Sequence, residues 1–197
     1  MANVKERVRE AFEESIRVKE ATAELCADEI AIAVASLVEC FRTGGKVLLF
    51  GNGGSASDAQ HIASEFVGRY VGDRPALPAI ALTANSSEYT AIGNDYGFDY
   101  IFARGVEAHG HEGDIAIAIS TSGNSANVVT GVKVAQDHGL TTIGLLGKHG
   151  GKLAHEVDLA ITVPSDRTPR IQETHITVGH ILCSLVEREL FGETLKR

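Results

Sequence analysis

An apolar run, a glycine-rich turn and a helical pattern follow one another in Val47-Leu-Leu-Phe-Gly-Asn-Gly-Gly-Ser-Ala-Ser-Asp-Ala-Gln-His-Ile-Ala-Ser-Glu65. The apolar run is typical of a parallel strand that is buried on both faces. A helix that begins at glycines after such a strand offers backbone N–H groups and the positive end of its dipole to an anion. His61 and Glu65 lie four residues apart and therefore share one face of that helix. The stretch indicates an α/β fold that acts on a small phosphorylated molecule.

The composition narrows the class of protein. The chain has 197 residues, of which 44% are hydrophobic, and its net charge is −8. This length fits one domain with its own core, and the negative charge without a basic run argues against a nucleic-acid binder. The three cysteines, Cys26, Cys40 and Cys183, form no C-x-x-C pair. Since neither a signal peptide nor a long apolar run is found, the sequence predicts a cytoplasmic protein.

The order of elements predicts two parts. Residues 1–43 are predicted to form a helical pair, with the second helix starting near Ala27, that packs on the core or on a partner subunit. Residues 44–197 are predicted to form a five-stranded, doubly wound parallel sheet with right-handed crossovers. The predicted strands are residues 47–50, 78–82, 115–119, 142–146 and 159–163. The predicted helices are residues 55–70, 86–94, 98–108 and 126–138, a short one near Leu153, and 170–191.

A second turn also joins a strand to a helix, in Ile119-Ser-Thr-Ser-Gly-Asn-Ser-Ala126. Ser120, Thr121, Ser122 and Ser125 place four hydroxyl groups around one glycine at the start of a helix. This serine turn (residues 120–125) can be an ordinary helix cap, but four hydroxyls after a buried strand favour a phosphate site. The glycine turn (residues 51–55) lacks the Lys-Ser/Thr ending of a P-loop, so a nucleoside triphosphate is not expected.

Several polar residues have two interpretations at this point. His61 and Glu65 can simply stabilise their helix, or they can bind zinc if other ligands converge on them. Asn94-Asp95 closes a helix and can be only its final turn. Gln172, His175 and His180 are polar residues in a last helix that otherwise reads as core, where single polar residues are common.

Taken together, these motifs resemble those of the sugar isomerase (SIS) domain. The similarity extends to the phosphoheptose isomerase family through Ala59-Gln-His-Ile-Ala-Ser-Glu-Phe66, Ala91-Ile-Gly-Asn-Asp-Tyr-Gly-Phe98 and Ile119-Ser-Thr-Ser-Gly-Asn-Ser-Ala-Asn127. The resemblance implies a flavodoxin-like fold and the interconversion of sedoheptulose 7-phosphate and D-glycero-D-manno-heptose 7-phosphate through an enediol. It also implies that this reaction is the first step in the synthesis of heptose precursors for lipopolysaccharide core or other surface polysaccharides.

The resemblance also implies roles for individual residues. Glu65 and His180 would be the catalytic acid–base pair. Because members of the family are homotetrameric and cytoplasmic, the resemblance implies the same assembly and location here. One zinc ion per subunit would be held by four side chains, those of His61, Glu65, Gln172 and His180. The substrate would be contacted by Asn52, Gly53, Gly54, Glu65, Asn94, Asp95, Ser120, Thr121, Ser122, Ser125 and Gln172.

The main alternative is a non-catalytic SIS domain, either a sugar-phosphate sensor or a DnaA-binding replication adaptor. The adaptor lacks the glutamate and the last histidine that isomerisation needs, whereas this chain has Glu65 and His180. An isomerase for another phosphosugar is a further alternative.

Helix geometry adds a hypothesis about the site. On one straight helix the Cα atoms of Gln172 and His180 lie about 12 Å apart. Either that helix begins irregularly near Pro169, or different protomers supply the metal ligands and the active site lies near a subunit interface.

Overall fold

The sheet has five parallel strands in the order β2-β1-β3-β4-β5. The computed structural model describes residues 3–192. The strands are β1 (Val47–Gly51), β2 (Ala79–Ala81), β3 (Ile115–Ser120), β4 (Thr141–Gly147) and β5 (Leu159–Val163). This order is that of flavodoxin-like sheets, in which the direction of strand addition reverses between β1 and β3. The predicted α/β fold with a doubly wound parallel sheet is confirmed.

The helices follow the predicted pattern with one difference in the middle of the chain. They are α1 (Val4–Arg42), α2 (Gly54–Val67), α3 (Ser86–Asp95), α4 (Ile101–His109), α5 (Ala126–Asp137), α6 (Leu153–Glu156) and α7 (Thr168–Phe191). The helix predicted over residues 98–108 is a 3-10 turn (Phe98–Tyr100) followed by α4.

The predicted N-terminal helical pair is wrong, because α1 is one continuous helix of 39 residues. No glycine or proline interrupts residues 3–43, so nothing in this stretch stops a helix near Ala27. Asn3 and Glu6 start α1 with a capping box. The second half of α1 contributes a buried stripe that includes Ile30 and Leu37 and belongs to the main core. Among the described residues, no helix is both long and apolar enough to cross a membrane.

Alternate side chains of each strand enter two separate cores on the two faces of the sheet. Val47 and Leu49 of β1 pack with α1, α2 and α7, whereas Leu48 and Phe50 pack with α4 and α5. Strands that are buried on both faces must be apolar throughout, which explains why the runs could be recognised in the sequence. The helices on the first face, α2 and α7, carry the predicted acid–base residues.

His175 ties α7 to the end of β4. Its side chain is buried, and its Nε2–H donates a hydrogen bond to the Leu146 carbonyl at 2.8 Å. Burial disfavours the charged ring and lowers the pKa of His175 to about 4, although the bond to Leu146 opposes this effect. His175 is therefore a neutral residue of the core.

This burial predicts a loss of stability in mild acid. Below pH 6.5 the unfolded chain binds a proton at His175 that the folded chain does not bind until about pH 4. The free energy of unfolding should therefore fall by about 2 kcal/mol between pH 7.5 and pH 5 through this residue alone. Urea unfolding of the native chain and of His175→Gln, which keeps a donor for Leu146, measures the difference. Parallel pH profiles of the two proteins would contradict the prediction.

Candidate active site

The glycine turn and the serine turn lie side by side at one edge of the sheet. Gly51 pairs with Ile119 in the register of β1 and β3, so both strands end at the same level. Neither α2 nor α5 has an acidic residue in its first turn or a side-chain hydrogen bond at its N-cap. Both helix starts are therefore free of the groups that compete with an anion, at the position where ligands bind in open α/β sheets.

The serine turn is a pre-formed loop. The Ser120 hydroxyl accepts a hydrogen bond from the Gly123 N–H at 3.1 Å and lies 3.3 Å from the Ser125 hydroxyl. The Asn124 N–H donates to the Ser122 hydroxyl at 3.2 Å. Thr121 and Ser122 are partly exposed, whereas Ser120 is buried. The structure therefore brings the four predicted hydroxyl residues together around the start of α5.

The glycine turn is held to the start of α5, just after the serine turn, by two amide groups. The side-chain amides of Asn52 and Asn127 exchange two hydrogen bonds, of 2.8 and 2.9 Å. Asn127 is buried in the first turn of α5 and was given no role in the sequence analysis. The signal available for it was an amide on the buried face of α5, which it shares with Val128 and Val132. Asn127 orients Asn52, which is predicted to contact the substrate.

His61, Glu65 and His180 form one cluster within a single chain. His61 Nε2 lies 3.2 Å from Glu65 Oε1 and 3.5 Å from His180 Nε2. The rings of His61 and His180 meet edge to face, with centroids 5.0 Å apart, and the Tyr70 ring lies 5.5 Å from His180. The Glu65 side chain is 24% exposed and that of His61 is 47% exposed. The cluster is thus open to a ligand on one side.

The donor set of this cluster fits a zinc ion. One ligand atom from each of the three residues lies within 4.8 Å of the other two. Two imidazoles and a carboxylate are the protein ligands of many catalytic zinc sites, which leave further positions for water or substrate. The two ring nitrogens also face each other, an arrangement that a shared cation would satisfy.

Gln172 lies at the other end of the α2–α7 contact. A Cβ atom on Gly54 would come within 2.3 Å of the Gln172 amide nitrogen, so this amide packs on the start of α2. The α7 helix is regular from Thr168, and the Ile171 N–H donates to the Arg167 carbonyl at 3.0 Å. The irregular start near Pro169 that we considered is therefore wrong. The role of Gln172 as a metal ligand stays a prediction.

Asn94 and Asp95 do not join the other predicted residues within one chain. They are exposed at the end of α3, where the Asn94 amide donates to the Asp95 carboxylate at 2.8 Å. The cleft beside the glycine turn has a volume of about 290 Å³ and does not include them. Its lining includes Asn52, Gly53, Gln60, Thr83, Tyr89 and Phe98.

The structure adds two groups that the sequence analysis missed. Asp58 lies one turn before His61, and burial raises the pKa of its carboxyl, although nearby His61 opposes this effect. Arg74 and Glu187 form a buried ion pair behind Glu65. Arg74 and Glu187 lie 113 residues apart, so no local pattern marked them, whereas Asp58 lies only three residues before His61 and could have been recognised on the same helix.

Known proteins resemble the chain over most of its length. The family model of the SIS domain matches residues 11–147. A phosphoheptose isomerase of Rhodospirillum rubrum is 56% identical over 84% of this chain and 88% of its own length. One from Aquifex aeolicus is 55% identical over 92% of this chain and 95% of its own length. The structure of a phosphoheptose isomerase from Neisseria gonorrhoeae has a TM-score of 0.89 and 44% identity over 94% of this chain and 99% of that chain.

The serine turn depends on Gly123, which predicts a large effect of Gly123→Ala. Gly123 has a φ of +64°, and an added Cβ would lie 1.8 Å from the Gly150 carbonyl oxygen. We expect this substitution to lower the free energy of unfolding by about 3 kcal/mol and to abolish binding of inorganic phosphate. Urea unfolding and phosphate titration by calorimetry measure both effects.

Gly44→Ala is the matched control for this test. Gly44 has a φ of +84°, but an added Cβ meets no described atom within 4 Å. This substitution should cost about 1 kcal/mol and leave phosphate binding unchanged. Equal losses in the two variants would show that the contact with Gly150 does not matter.

Proposed function

We propose that this chain, which belongs to the SIS domain family and within it to the phosphoheptose isomerases, interconverts sedoheptulose 7-phosphate and D-glycero-D-manno-heptose 7-phosphate. The observation that carries the proposal is the pairing of high identity to named isomerases with the cluster of His61, Glu65 and His180. The named relatives are enzymes, so they favour an isomerase over a sensor or a DnaA-binding adaptor.

The two turns account for substrate binding in this proposal. The phosphate would be held by the hydroxyls and N–H groups of the serine turn, which needs no positive side chain there. The sugar would extend along the glycine turn, where Asn52, Gly53 and Gly54 can meet its hydroxyl groups. This arrangement is supported by the adjacent ends of β1 and β3 and by the cleft beside Gly53.

The reaction moves a proton between two adjacent carbons. Glu65 would remove the proton from the carbon next to the carbonyl, while His180 would protonate the carbonyl oxygen and give an enediol. A proton is then added to the former carbonyl carbon. The hydroxyl group on the adjacent carbon gives its proton to His180 and becomes the new carbonyl. Support for these roles comes from the approach of both side chains to His61 within one open cluster.

Zinc is part of the proposal. His61, Glu65 and His180 would hold it, and Gln172 is the predicted fourth ligand, which on the regular helix α7 would have to come from a different protomer. When bound, it would polarise the substrate carbonyl and stabilise the negative charge that develops on oxygen.

The proposal also includes a cytoplasmic homotetramer that supplies heptose precursors for lipopolysaccharide core or another surface polysaccharide. The cytoplasm is supported by three free, buried cysteines. Assembly is supported by an apolar stripe on the first half of α1. Its members, Val4, Val8, Phe12 and Ile16, recur every fourth residue and are between 50% and 75% exposed.

Turnover of sedoheptulose 7-phosphate tests the proposed function. The native enzyme should convert it to the aldose and exchange the transferred hydrogen with deuterium from D₂O. Glu65→Gln should lower kcat by 10²- to 10⁴-fold, because an amide cannot act as the base. Glu112→Gln, an exposed carboxylate at the amino end of β3, is the control and should retain full activity.

Chelator treatment is the second arm of the same assay. Loss of turnover that Zn²⁺ restores would support the zinc proposal. Full turnover after removal of all metal would refute it without affecting the assignment of the reaction. No conversion of the substrate by the native enzyme would refute the proposed function itself.

Mixed tetramers test whether a neighbouring subunit completes each site. Asn94 and Asp95 are exposed in one chain, so we expect them to serve the site of a partner. A 1:1 mixture of inactive Glu65→Gln with the inactive double variant Asn94→Ala/Asp95→Ala should regain about a quarter of native turnover, because random assembly leaves one site in four intact.

The matched control mixes Glu65→Gln with His180→Ala. Both of these residues lie in one chain, 3.2 and 3.5 Å from His61, so no mixed site is complete and no activity should return. Light scattering would first establish that the protein is a tetramer. Absence of recovery in the first mixture would contradict the role of Asn94 and Asp95 across the interface.

A further inference from the structure

Arg74 caps the carboxyl end of α2 by hydrogen bonds to its backbone carbonyls. Glu65 lies in the last turn of α2, where backbone carbonyls have no donor from their own helix. Arg74 Nη2 donates to the Glu65 carbonyl at 2.7 Å, and Arg74 Nη1 donates to the Phe66 carbonyl at 2.6 Å. The positive charge is also favourable at the negative end of the helix dipole. Arg74 therefore fixes the backbone of the proposed base.

Arg74 is itself fixed by Glu187 of α7. Arg74 Nε donates to Glu187 Oε2 at 3.0 Å, and both side chains are only 1% exposed. The same carboxylate accepts hydrogen bonds of 3.0 Å from three successive backbone N–H groups, those of Tyr70, Val71 and Gly72. Four donors thus surround one buried carboxylate.

The electrostatics keep Glu187 ionised. Burial alone raises the pKa of its carboxyl, but the hydrogen bonds from Gly72, Tyr70 and Val71 and from the Arg74 side chain outweigh burial and lower it. An isosteric glutamine would turn an NH₂ group toward N–H donors and would lose the charge that holds Arg74. Glu187→Gln therefore disrupts the contact without changing side-chain volume.

These contacts connect the two proposed catalytic residues through their backbones. Glu187 follows His180 by seven residues and lies on the same side of α7. The segment that Glu187 binds includes Tyr70, whose ring lies 5.5 Å from the His180 ring. Arg74 donates hydrogen bonds both to the Glu187 carboxylate and to the Glu65 carbonyl. Movement of the Glu65 backbone away from α7 would therefore break part of this set of bonds.

We propose that Arg74 and Glu187 are positioning residues that set the distance between Glu65 and His180, an inference that rests on the proposed roles of those two side chains. They touch neither substrate nor reacting atoms. Their removal lowers the rate because a small displacement of a proton-transfer group costs much of the advantage of orientation.

A purely structural role is the alternative, because breaking any buried ion pair destabilises a protein. Asp114 provides a matched control. Its buried carboxylate accepts hydrogen bonds from the backbone N–H groups of Lys46 and His111, each at 2.9 Å, and from Lys46 Nζ at 2.6 Å. It lies at the amino ends of β1 and β3, which is the opposite edge of the sheet from the site.

The experiment compares Glu187→Gln, Arg74→Lys and Asp114→Asn in the full-length protein. Arg74→Lys keeps a charge beside Glu187 but has one nitrogen in place of the fork that reaches the Glu65 and Phe66 carbonyls. We expect kcat for sedoheptulose 7-phosphate to fall 10- to 100-fold in Glu187→Gln and Arg74→Lys, with KM within about twofold of native. Asp114→Asn should lose stability but keep native kcat.

A spectroscopic readout makes the test independent of the reaction. The ring proton signals of His61 and His180 in NMR spectra, without substrate or metal, should shift in Glu187→Gln and Arg74→Lys and not in Asp114→Asn. If the native enzyme does not convert the substrate, the proposed function fails and these signals alone decide the positioning role. If Glu187→Gln does not fold, Arg74→Lys decides it.

Two results would overturn the inference. One is a kcat for Arg74→Lys or folded Glu187→Gln within twofold of that of Asp114→Asn. The other is histidine signals that are unchanged in both variants, since the cluster would then hold its geometry without the ion pair.

Discussion

The parallel pairing of β1 with β3 positions both turns that are predicted to bind the substrate. Residues 47–51 pair one by one with residues 115–119, so the glycine turn and the serine turn leave the sheet at the same level. Because each turn leads directly into a helix, two helix N-termini point toward the same space. The Asn52–Asn127 amide pair then holds the two turns at one separation. The predicted phosphate site needs no excess of basic residues in a protein of net charge −8, because its donors would be backbone N–H and hydroxyl groups.

The cluster of His61, Glu65 and His180 depends on a second contact, between α2 and α7. A Cβ atom on Gly179 would lie 2.5 Å from Ile62 Cδ1, so the absence of a side chain at Gly179 lets the two helices approach closely. This approach brings His180, the next residue, to His61. At the other end of the same contact Gly54 makes room for Gln172. Two glycines thus determine how the two helices that carry the cluster meet.

Much of the fold could be predicted because its signals are local. Runs such as 115–119 are apolar on both faces and are bounded by glycine and polar residues, so strand order along the chain was evident. The break predicted near Ala27 was an error of another kind. The exposed apolar residues of the first half of α1 and the buried residues of its second half belong to one continuous helix. Whether a helix continues depends on its backbone, and no residue there interrupts it.

The class of fold, the two turns predicted to bind an anion and the His61/Glu65 pair could be read from the sequence, because they depend on residue type and on spacing within one element. His180 lies on another helix, and only the resemblance to a known family singled it out. Only the folded chain shows that these three side chains meet, that Asn94 and Asp95 are exposed at the end of α3, and that the Arg74–Glu187 pair contacts the Glu65 backbone. Glu187 lies 113 residues from Arg74, and such contacts follow from the packing of α7 against α2, which periodicity within either segment does not encode.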